Sequence, residues 1–99
     1  NGMPTKSLKS NVGYRIQAYS GSGTHSRQEA QSRMSKISAK YPYMRSNIVY
    51  KAPSWRLRVG DYRTRQEAKD ALEGMKEAFP AYAKELTIVV DRIHIDDEE

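Results

Sequence analysis

Trp55-Arg56-Leu57-Arg58-Val59-Gly60, followed by Thr64-Arg65-Gln66-Glu67-Ala68, is the stretch that decides the architecture. Leu57 and Val59 alternate with Arg56 and Arg58. A period of two belongs to a strand with one packed face and one open face. Gly60-Asp61-Tyr62-Arg63 ends that strand. Thr64 and Glu67 then have capping-box spacing: the hydroxyl takes an amide of the first turn and the carboxylate reaches back to the cap. Ala68, Ala71, Leu72, Met75 and Phe79 follow on one side of a helix, and Pro80 stops it. The unit reads strand, loop, helix.

The same unit occurs upstream. Tyr14-Arg15-Ile16-Gln17-Ala18-Tyr19 is an alternating strand, and Ser20 to His25 is a Gly-rich loop. Ser26-Arg27-Gln28-Glu29-Ala30 repeats the helix start, with Ser26 and Glu29 predicted as a second capping box. Ala30, Met34, Ile37 and Tyr41 form its apolar stripe, and Pro42 stops it. Two features in the same order favour two copies of one unit. Asn47–Lys51 after the first helix and Leu86–Val90 after the second read as strands, and Ala52-Pro53-Ser54 joins strands two and three. The order is β-α-β-β-α-β. Right-handed crossovers make this an α+β, ferredoxin-like fold: a four-stranded antiparallel sheet with both helices on one face.

Ninety-nine residues hold one such domain. Residues 1–12 read as a leader or linker, 13–95 as the folded unit, and 96–99 as an acidic tail. Lys and Arg number 17 against 12 Asp and Glu, a net charge of +5, and the four carboxylates of the tail overlie a more basic remainder. Basic charge points to an anionic partner without choosing among nucleic acid, membrane and polysaccharide. The absence of cysteine excludes disulfides, thiolate zinc sites and cysteine catalysis. No window approaches the ~18 apolar residues of a membrane span.

No catalytic constellation is present. His25 and His94 lack metal-ligand spacing, Glu29 and Glu67 are assigned to helix caps, and neither a metal nor a cofactor is implied. An enzyme is not expected. The open sheet face is the candidate site. If Ile16, Ala18, Leu57 and Val59 point to the helices, parity sends Arg15, Gln17, Tyr19, Arg56 and Arg58 outward. Trp55 falls on the inward parity or at the strand's start, where packing is the stronger reading, and parity leaves Tyr50 open. A face dense in Arg and Gln suits a flat, polar, anionic ligand. RNA-recognition domains share the element order, but stack bases on outward aromatics where this third strand carries Arg. Their K/R-G-F/Y-G/A-F-V-x-F/Y signature is absent. An RNA- or single-strand-binding module is the alternative reading, and a regulatory small-molecule domain of ACT type is a third.

These same blocks, from Tyr14 to Ser20 and from Trp55 to Ala68, resemble the SPOR (sporulation-related repeat) domain family. Phe79-Pro80 with Ile88-Val89-Val90-Asp91-Arg92-Ile93 is similar to the family's closing stretch, in a Bacteroidetes-like form. The resemblance covers about Gly13 to Ile93. It implies a non-catalytic domain that binds peptidoglycan, preferring glycan strands without stem peptides, in the periplasm or cell envelope and often at the division septum. The family's first-strand Gln corresponds to Gln17, and its third-strand Arg to Arg56 or Arg58. The candidate glycan-binding residues are thus Arg15, Gln17, Tyr19, Ser20, Tyr50, Trp55, Arg56 and Arg58. The chain departs from the family at Ala18-Tyr19-Ser20-Gly21, which replaces Gly-Ser-Phe, and in the extra residues Ala81 to Glu85.

Overall fold

The computed structural model describes residues 12–93. The expected leader 1–12, apart from Val12, which opens the first strand, lies outside the described residues, as do His94 and the acidic tail. The chain runs β1 (Val12–Gly21), α1 (Ser26–Lys40), β2 (Ser46–Lys51), β3 (Ser54–Tyr62), α2 (Arg65–Ala78), a 3₁₀ segment (Pro80–Glu85) and β4 (Thr87–Arg92). The strands form one antiparallel sheet in the order β2-β3-β1-β4. This is the ferredoxin-like arrangement that the alternating strands and repeated helix starts predict. The residues between Pro80 and Glu85 form the 3₁₀ turn that returns the chain to β4.

Periodicity explains the core. Ile16 and Ala18 of β1 and Leu57 and Val59 of β3 are fully buried, together with Ala30 and Ile37 of α1, Met75 of α2 and Leu86 before β4. The two helix starts differ, however. Thr64 caps α2 as predicted, its Oγ1 accepting from Glu67 N at 3.1 Å, and the Glu67 carboxylate accepts from Arg63 N. The predicted Ser26 cap does not form. His25 holds the cap position of α1 without a side-chain bond, and Ser26 is already the first, buried residue of the helix. Glu29 has another partner: its carboxylate accepts from Arg33 Nε at 2.8 Å, one turn on.

Two bulges interrupt the pairing of β1 with β3. In β3, Gly60 and Asp61 together oppose Arg15. Gly60 adopts φ +81°, a left-handed conformation that glycine alone takes without strain, as this form of bulge requires. In β1, Gln17 opposes Arg58 but Tyr19, not Ala18, opposes Leu57, so Ala18 is one residue extra. The extra residue reverses the parity of everything after it.

Arg33 of α1 repairs the second bulge. Its Nη1 donates to Ala18 O at 3.3 Å, and the same guanidinium bonds Glu29 and Glu85. It lies 4.8 Å from the Tyr19 ring centre and 4.2 Å from that of Tyr82. Burial opposes its charge, but hydrogen bonds to Glu85 and then Glu29 outweigh this and raise its pKa above the ordinary value. Helix, sheet and 3₁₀ segment therefore meet at one side chain. Replacing Arg33 by Met keeps the length and removes every polar bond. The expected cost in a urea melt is about 2–3 kcal/mol, because a buried carbonyl loses its donor and two carboxylates lose their cation. Thr64→Ala is expected to cost about 1 kcal/mol, and Ser26→Ala measurably less, since Ser26 caps nothing.

Candidate functional site

No helix among the described residues covers the second face of the sheet. Its side chains form cross-strand rows. Asn47, Arg58, Gln17 and Thr87 stand side by side across all four strands, a polar row about 14 Å wide at ~4.8 Å per strand. The next row places Val49, Arg56 and Ser20 together, and beyond it lie Lys51 and Ser54. On the other side of the polar row are Arg15 with Val89, then Gly13 with Asp91.

The three arginines of this face differ in what already holds them. Arg15 is buried: its Nε donates to Gly60 O at 2.8 Å, its Nη2 to Arg45 O at 3.4 Å, and Asp61 lies 3.7 Å away. Burial lowers its pKa from the ordinary value, against the pull of Asp61 and Asp91. Arg15 thus has the outward parity expected of it but is enclosed by the Gly60 bulge and the start of β2, which makes it a brace. Arg58 is shared: Nε donates to Gln17 Oε1 at 3.2 Å and Nη1 to Asp91 Oδ2 at 3.0 Å. The Arg56 side chain has no hydrogen bond or ion pair among the described residues, and its Nε is buried without a partner.

The aromatic candidates lie elsewhere. Tyr19 was expected outward, but the Ala18 bulge turns it to the helix side, where it packs against the core and Arg33. The same half-period shift brings Ser20 out beside Arg56. Tyr50 opposite Trp55 shares the helix-side parity of Ile48 and Leu57. Their rings lie 4.7 Å apart near the two-residue β2–β3 turn, whose Ala52–Pro53 peptide is cis, and Arg27 of α1 lies 5.5 Å from the Trp55 ring. The structure therefore brings together Gln17, Ser20, Arg56 and Arg58, and separates them from Tyr19, Tyr50 and Trp55. Residue-by-residue reading missed Asp91 and Arg45. Asp91 was legible, because Thr87, Val89 and Asp91 alternate along β4. Arg45 was not, since its Asp61 contact depends on a bulge.

A family model described as SPOR domain matches residues 10–84. The chain belongs to the SPOR domain family. SPOR domains are a binding family, known for peptidoglycan binding in division proteins, and they occur in envelope or periplasmic proteins. No curated protein and no solved structure matches the chain. In this SPOR domain no helix among the described residues is long and apolar enough to cross a membrane.

The different states of the arginines separate bracing from binding in a thermal melt. Arg15→Ala is expected to cost about 2 kcal/mol, roughly 8–16 °C in a domain of this size. Arg56→Ala should leave the melting temperature unchanged or slightly higher, because it removes a buried nitrogen with no partner.

Proposed function

We propose that the open face binds peptidoglycan glycan strands that lack stem peptides, through Gln17, Ser20, Arg56 and Arg58, and so targets its parent protein to the cell envelope or division septum. The observation that carries this reading is Arg56, a cation with no partner among the described residues, beside the Asn47–Arg58–Gln17–Thr87 row. Removing the stem peptide leaves a carboxylate on alternate sugars of the strand. A guanidinium pairs a carboxylate through two parallel bonds. Gln17, Ser20, Asn47 and Thr87 supply the mixed donors and acceptors that acetamido and hydroxyl groups need.

Arg58 supports the same reading differently. Asp91 opposes its charge, so it acts more as a directed donor than as a free anion trap. An uncharged sugar suits that position, and an anionic group suits Arg56. The groups on this face are recognition groups, in keeping with a family of binding domains. A nucleic-acid reading is less well supported, because the outward rows carry no aromatic ring on which a base would stack.

The test is co-sedimentation with sacculi. The chain should pellet with amidase-treated sacculi more strongly than with intact ones, and salt should weaken the interaction. Arg56→Ala is expected to weaken pelleting roughly three- to tenfold, on the order of 1 kcal/mol for an exposed ion pair. Gln17→Ala and Arg58→Ala should each weaken it, with a double-variant loss smaller than the sum, because the two side chains bond each other. Equal pelleting of wild type and all three variants rejects the site. Failure to pellet on stripped sacculi, together with salt-sensitive binding of an oligonucleotide, decides for the nucleic-acid alternative.

A further inference from the structure

A groove of about 630 Å³ opens at the end of the sheet, where the segment between α1 and β2 passes the Gly60 bulge. Its walls include Pro42, Tyr43, Arg45, Gly60, Asp61 and Tyr62. The volume lies within the range of small-ligand sites.

Three properties define what it would accept. The first is an exposed aromatic surface. Tyr43 is 98% exposed, and the backbone that carries it is held: Met44 N donates to Tyr41 O at 3.0 Å, closing a turn with Pro42 in its second position, and Gly60 N donates to Arg45 O at 2.8 Å. A large ring presented to water from a braced turn offers an amphipathic contact surface. The second is charge balance. Arg45, about half exposed, lies 3.5 Å from Asp61, so the charged groups of the wall oppose each other. Asp61 is shared between Arg45 and the buried Arg15, so no unopposed carboxylate awaits a cation, whereas a neutral polyhydroxyl ligand finds both donors and acceptors. Tyr62 adds a phenol, held above its ordinary pKa by burial and by Asp61. The third is position. Asp61 also approaches Arg15 at 3.7 Å, so it forms a wall shared by the groove and the open face. Along β3 the groove starts two residues from Arg58, about 7 Å at ~3.3 Å per residue.

We infer that this groove is a second subsite for an uncharged pyranose of the N-acetylhexosamine class, with the Tyr43 ring stacked on the sugar's C–H face and the Arg45–Asp61 pair bonding its hydroxyl and acetamido groups. It continues the track of the open face past the end of the sheet, and it rests on the reading that the open face binds glycan. Arg56, unpaired among the described residues, and the groove with its Arg45–Asp61 pair lie at opposite ends of that track. A bound strand therefore places a carboxylate at one end and a neutral sugar at the other.

The test titrates the full chain with fluorescently labelled glycan fragments of increasing length, stripped of peptide. Tyr43→Ala should bind the shortest fragments as wild type does and the longer ones several-fold more weakly. Tyr43→Phe, which keeps the ring, should behave as wild type at every length. Wild-type binding with Tyr43→Ala indistinguishable at every length overturns the subsite and leaves the open-face reading standing. Absence of wild-type binding to any fragment overturns both. Because Tyr43 is almost wholly exposed, its truncation removes no core contact, and an unchanged thermal melt verifies this.

Discussion

The extra residue in β1 is the constraint on which most of the molecule depends. Ala18 has no opposite number in β3, and β4 begins too late to pair with it. Its carbonyl would be a buried acceptor without a donor, at a cost of about 1–3 kcal/mol. Arg33 supplies the donor from α1. A guanidinium so placed needs counter-charge, and Glu29 and Glu85 provide it from two different elements. Tyr19 and Tyr82 enclose its faces. At this one bulge α1, β1 and the 3₁₀ segment are tied together through Arg33, while Ala30 and Ile37 hold α1 on the core.

The bulge also shapes the exposed face. By reversing parity it withdraws an aromatic ring and substitutes Ser20 beside Arg56. The other bulge, at Gly60, immobilises Arg15 and brings Asp61 within reach of Arg45. From the Gly60 bulge to just beyond the Ala18 bulge, cationic groups pass from enclosed (Arg15) through shared (Arg58) to unpaired among the described residues (Arg56). The basic balance of the chain is thus not spread evenly over the sheet. Where charge is already opposed, the surface suits neutral polar groups, and where it is not, the surface suits an anion. That gradient is the physical basis for reading this SPOR domain as a reader of a strand with intermittent charge.

Much of this was legible in the residue order. Alternation of Leu57 and Val59 with Arg56 and Arg58 needs no partner strand to be recognised, since it follows from the two-residue repeat of an extended chain. The Thr64–Glu67 cap was legible for the same reason: both groups and the amide they satisfy lie within one turn. Ser26–Glu29 has the same spacing and did not cap, because the helix begins one residue earlier, with His25 at the cap position and Ser26 already its first, buried residue. Tyr19 failed as an outward residue because a bulge is a property of two strands, and no periodicity within β1 reveals it.

Sequence alone determined the element order, the inward set Ile16, Ala18, Leu57 and Val59, and Arg and Gln as the chemistry of the open face, because each follows from spacing within a few residues. Tertiary structure alone decided which of those arginines remain available. Arg15 and Arg58 are engaged by groups 30 to 45 residues away, Arg45 O, Asp91, Gln17 and Gly60 O among them. Availability of a charge is set by everything within a few ångströms of it, and only the folded chain brings those groups together.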